Sequence, residues 1–173
     1  MNCINEIFRK TFEDTLDEHG NSYQQYADNI YSIAPKNKPD RITIAKLIGS
    51  EPIDEKRHGT KNDTEIKAIG YFRFKLSSEG IEPNFYIFAF SDYSDHRVEF
   101  VIIPFSELKS RLNKRKCITD KDQDTELRFW LLSDDLVFES NFGAEGEFWF
   151  VNGRMAKNTV WDYTPYLNWW DSL

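Results

Sequence analysis

Two segments in the middle of the chain, FYIFAF at residues 85–90 and VEFVIIPF at 98–105, do most to limit what it can fold into. The first is apolar on both faces and the second nearly so. A strand of that kind belongs inside a sheet that other layers cover. YFRFKL at 71–76 alternates instead, with Phe72, Phe74 and Leu76 on one face and Tyr71, Arg73 and Lys75 on the other. Period-two alternation marks a half-buried strand. These three segments predict a sheet core with 85–90 at its centre.

The rest of the pattern supplies covering elements. Ile4, Ile7, Phe8, Phe12 and Leu16 recur at helical spacing, and Gly20 ends that helix. Ser22 is placed to cap a second helix, with Tyr23, Tyr26, Ala27, Ile30 and Ala34 on one face and Pro35 as its stop. RITIAKLI at 41–48 reads as a strand from its β-branched content. Ser106 is placed to cap a helix over ELKSRLNKRK. LRFWLL, LVFES and EFWFV read as strands, the first two joined through Ser133, Asp134 and Asp135. Thr164 and Pro165 open a short last helix whose Tyr166, Leu167 and Trp170 dock on the body. The expected architecture is α/β, with α+β the alternative, built on a mixed central sheet flanked by helices. One domain suits 173 residues: N-terminal helices over 1–35, a core over 41–116, then extra strands and a C-terminal helix over 127–173.

No run approaches the roughly 18 apolar residues of a membrane span, and the charged N-terminus lacks a signal-peptide pattern. Cys3 and Cys117 do not make a disulfide framework. These features predict a soluble, cytoplasmic protein. A net charge of −7 argues against indiscriminate nucleic-acid binding. Charge is segregated, however. Lys109, Arg111, Lys114, Arg115 and Lys116 form a run with no acid inside it, while the first twenty residues carry five acids against two bases. The basic run is either a solvated helix end or a contact for nucleic-acid phosphates.

One constellation carries chemistry. In EPIDEKRHGTKNDTEIKAIG, Asp54 is followed eleven residues later by Glu65-Ile66-Lys67. Residues i and i+2 of a strand share a face, so Glu65 and Lys67 project together there. Clustered carboxylates bind Mg²⁺ through oxygen, and a neighbouring lysine can orient water or stabilise charge on phosphate. Asp54…Glu65-Ile66-Lys67 resembles the PD-(D/E)XK motif of restriction-endonuclease-like nucleases over roughly residues 40–115. That resemblance implies a Mg²⁺-dependent endonuclease acting on DNA, with Asp54 and Glu65 as metal ligands and Lys67 as the catalytic lysine. A second register places Lys46 at the lysine and Ile44 where the acid belongs, which implies an inactive relative.

There is no G-x-S-x-G and no glycine-rich phosphate loop. His19, His58 and His96 are scattered in polar contexts and read as surface residues. FWF at 148–150 and WW at 169–170 serve packing, or stack bases. Two functions remain. One is a homodimeric endonuclease, since two-fold symmetry matches a duplex. The other is a non-catalytic acidic interaction protein: an inhibitor, an immunity protein or a DNA-mimicking antagonist. Its negative surface would steer it to a basic protein partner.

Overall fold

The computed structural model describes residues 5–52, 60–61, 64–76, 80–92, 96–114, 125–139, 150–151, 154–155 and 162–173. The first helix, α1 (Glu6–Glu18), starts where the Asn5 side chain accepts a hydrogen bond from the Ile7 amide at 3.0 Å. It ends before Gly20, whose φ of +71° suits a residue without Cβ. Phe8, Phe12 and Leu16, four residues apart, form its buried stripe. Ile7 was expected on that stripe but is 61 % exposed. It lies five residues from Phe12 and so about 140° away around the axis.

The expected second helix is a β-hairpin, β1 (Ser22–Ala27) and β2 (Ile30–Ala34). Its apolar residues fit both periods. The decision falls to Tyr31 and Ile33, which alternate into the core when β2 pairs with β3 (Thr43–Gly49). Tertiary pairing here overrides the helical spacing. The strand predicted at 41–48 is thus found.

β3 then pairs in parallel with β6 (Phe85–Ser91), which pairs antiparallel with β7 (Val98–Pro104). The five-stranded sheet has the order β1-β2-β3-β6-β7, mixed as expected, with β6 inside it. The strand at 71–76 does not join it. It is the end of a long strand, β5 (Thr64–Phe74), in a second sheet of order β4-β5-β8-β9. There β4 is Thr60–Lys61, β8 is Thr125–Leu132 and β9 is Val137–Glu139. A ribbon of β10 (Phe150–Val151) and β11 (Arg154–Met155) completes the strands among the described residues.

The second helix, α2 (Phe105–Lys114), begins one residue ahead of Ser106, which therefore lies in its first turn. The last expected helix is a 3₁₀ turn, Thr164–Tyr166, followed by another at Trp170–Ser172. These elements make a mixed α/β fold dominated by strands.

Alternation along β6 builds two cores at once. Tyr86, Phe88 and Phe90 point between the sheets, where they meet Phe72 and Phe74 of β5, Phe129 of β8, and Leu108 and Leu112 of α2. Ile87 and Ala89 point the other way, to the α1 stripe, Tyr31 and Phe100. Trp170 packs on that second core, 5.8 Å from the Phe12 ring and 5.0 Å from Phe100. Gly70 leaves room for two rings: a Cβ there would sit 2.5 Å from the Phe72 ring of its own strand and 3.1 Å from Phe90 of the facing sheet.

Candidate functional site

β5 changes parity at Lys67. Ile66 pairs with Leu132 and Ala68 with Leu131, so Lys67 is an extra residue, a β-bulge. Beyond it Ala68, Phe72 and Phe74 face the inter-sheet core; before it Ile66 joins Ile69 and Leu132 on the opposite face. Bulges re-aim side chains, and this one directs Lys67 to the rim between the sheets. Its Nζ donates to Asp135 Oδ1 at 3.0 Å and lies 4.0 Å from Asp92 Oδ2. Asp92 follows directly on β6 and its side chain is fully buried. Asp135 comes from the β8–β9 turn, with φ +58°. The hydrogen bond from Lys67 to Asp135 raises the lysine pKa, which partial burial opposes and the charges of Asp135 and Asp92 assist. Lys67 is therefore held as a cation.

Along the same rim, Arg97 directly precedes β7 and Glu99 is its second residue. Arg97 Nε donates to Glu99 Oε1 at 2.5 Å, and Glu99 is only 2 % exposed. Its other oxygen accepts from Asn168 Nδ2 at 2.6 Å. Asn168 has φ +48°, and its Oδ1 accepts from the Phe100 amide at 3.0 Å. The left-handed conformation is one asparagine tolerates. Together these bonds tie the C-terminal segment to the edge of β7.

Beside this cluster runs a groove of about 670 Å³, lined by Asp14 and Glu18 of α1, by Arg97 and Glu99, by Asp135, and by Trp170. Its charge is dominated by carboxylates. Glu18 also stands in the last turn of α1, which carries no base. The helix dipole disfavours anions there.

Among the described side chains, Lys67 meets Asp92 and Asp135. Asp54 lies outside the described residues, as do Arg115, Lys116, His58, Cys3 and Cys117. Glu65 is in β5 as expected, with its side chain outside the description. Among the described residues, no three His, Cys, Asp or Glu side chains converge to hold a metal. Lys46 of the alternative register is 8 % exposed in the wall of the inter-sheet core, its Nζ 3.5 Å from the Lys75 carbonyl oxygen and 5.9 Å from the Tyr86 ring.

Within the basic run, Lys109 and Lys114 are exposed on α2. Arg111 turns inward, donating to Glu107 at 2.7 Å and to the Asp162 carbonyl at 2.8 Å, with its guanidinium 4.9 Å from the Tyr163 ring.

Sequence reasoning missed Asp92, Glu99, Asp135 and Asn168. A signal existed for one of them. Glu99 is an acid set in otherwise apolar strand sequence, and a buried acid requires partners. Searches against family models, curated proteins and solved structures find no match for this chain.

Proposed function

We propose that this chain is an acidic interaction protein that captures a basic segment of a protein partner. The observation that carries the reading is the acidic end of α1. Asp14 and Glu18 line one groove, one helical turn apart, and Glu18 sits in the last turn, where the dipole disfavours it. Carboxylates so placed cost stability in the free protein, and an incoming cation relieves that cost. Glu18→Lys is therefore expected to stabilise the free protein by about 0.3–1 kcal/mol. The same change should weaken binding of a lysine-rich oligopeptide, measured by calorimetry, roughly tenfold at low salt, with the difference shrinking as salt is added. An oligopeptide that binds neither protein would remove this reading.

A Mg²⁺-dependent endonuclease is the second reading. What favours it is that β5 carries both Glu65 and Lys67, and that the Lys67 ammonium lies beside the buried carboxylate of Asp92. In that reading Asp54 and Glu65 hold the metal, Lys67 is the catalytic lysine, and the basic run Lys109, Arg111, Lys114, Arg115 and Lys116 faces DNA in a homodimer. Incubating the protein with plasmid DNA in Mg²⁺ and in chelator decides it: equal, uncut plasmid in both excludes the nuclease.

A further inference from the structure

The two edges of the five-stranded sheet are treated differently. At β7, Leu167 bridges to Val101 and Asn168 bonds to Phe100, so the C-terminal segment covers that edge. At the other edge β1 is the last strand among the described residues. Every residue of β1 except the half-buried Tyr23 is exposed. Natural edge strands are blunted by lysine, proline, inward charge or bulges, and β1 has only the last, a register shift between Gln25 and Ala27 that leaves Ser22–Gln25 regularly paired with β2. Here 29 % of the chain is charged, yet Asn21 to Ala27 (NSYQQYA) contains no charged residue and no proline. An edge of that composition, without a strand partner among the described residues, accepts another strand.

The flank of α1 that overlooks this edge says what strand fits. Tyr31 donates to Glu13 Oε1 at 2.9 Å, and the Tyr23 and Tyr31 rings are 6.2 Å apart, which puts the Tyr23 and Tyr31 side chains and the Glu13 carboxylate on one face of the sheet. Burial first, and then the carboxylates of Glu13, Asp17 and Asp14, push the Tyr23 phenol pKa up. Those acids therefore act on β1 itself. A second copy of this chain is a poor occupant. Antiparallel pairing of two β1 edges about a two-fold axis would set both α1 helices on the same face, acid against acid. A segment with alternating cations meets the same carboxylates favourably.

We propose that the outer edge of β1 is a docking site for an extended, lysine- or arginine-rich segment of a partner protein, which adds to the sheet as a sixth strand. The proposal rests on the basic-partner reading above and gives it a second surface, distinct from the groove on the other flank of α1. Main-chain hydrogen bonds to Ser22–Ala27 supply the pairing. Cationic side chains on the α1 side supply the selectivity, through Glu13 and Asp17.

The test uses the full chain and a hexapeptide alternating lysine and threonine, with two further versions N-methylated on alternate backbone nitrogens. Methylation keeps every charge and removes backbone donors on one edge only. The parent peptide is expected to slow amide exchange at alternate residues of Ser22–Ala27 at least tenfold. One methylated version should bind at least about tenfold more weakly than the parent, and the other should match it. Asp17→Asn should weaken the parent peptide several-fold with the fold intact. Equal binding by all three peptides without protection of β1 would overturn strand addition while leaving acidic capture standing. No binding by any of them would overturn both.

Discussion

The space between the two sheets and the rim at the end of those sheets are built on opposite principles. Between the sheets, Phe72, Phe74, Phe88, Phe90 and Phe129 pack rings against one another, with Phe88 centred 5.0 Å from Phe72 and 5.5 Å from Phe129. Area and volume set that energy, and many neighbours share it. At the rim, Lys67, Asp92, Arg97, Glu99, Asp135 and Asn168 meet in named pairs, and each pair depends on one donor and one acceptor. The core stabilises through bulk. The rim fixes which segment lies where, because Asn168 joins Glu99 across 69 residues of chain and Lys67 joins Asp135 across 68.

Substitutions can break this contrast or sharpen it. Phe88→Ala removes a fully buried ring and should cost about 3–5 kcal/mol in chemical denaturation; a loss below about 1 kcal/mol would take Phe88 out of the core. Asn168→Gly keeps the left-handed backbone accessible and deletes only the side-chain bonds to Glu99 and Phe100. It should cost about 1–3 kcal/mol, because the buried Glu99 loses a donor. A loss comparable with that of Phe88→Ala would mean the rim contributes as much as the core.

Lys67→Met should cost least, about 0.2–1 kcal/mol, since its partner Asp135 is 66 % exposed. The pairing raises the lysine pKa in the folded protein. Its contribution is therefore complete below the ordinary lysine pKa and lost as pH rises through the raised folded value. The stability gap between parent and variant should close in alkaline solution. A gap above about 2 kcal/mol at neutral pH would show that Asp92, not Asp135, dominates the interaction.

The same contrast explains what could be read beforehand. β3, β6, β7 and β8 follow from local alternation and β-branched content, and α1 from Phe8, Phe12 and Leu16 at spacing four. The hairpin at Ser22–Ala34 does not, because Tyr23, Ala27, Ile30 and Ala34 satisfy a helical period equally well until β3 is present. Nor does the division into two sheets: nothing local in YFRFKL says that it pairs with residues 125–132 and not with its neighbour in sequence. Lys67 was visible as a candidate and its partners were not, since a salt bridge spanning 68 residues leaves no local pattern.

The route of the chain between β3 and β6 has a kinetic consequence. These strands are parallel neighbours, yet the segment that joins them travels through β5 in the other sheet. The first sheet cannot gain its central pairing without closing a loop that passes through the second. β5 in turn finds its main partner, β8, only after β6, β7 and α2 have been traversed. A state with only the first sheet finished would hold β5 as an open loop, with Phe72 and Phe74 uncovered by β8. Refolding is expected on the millisecond-to-second scale typical of non-local β topologies, with the Trp130 and Trp170 environments recovering in the same phase.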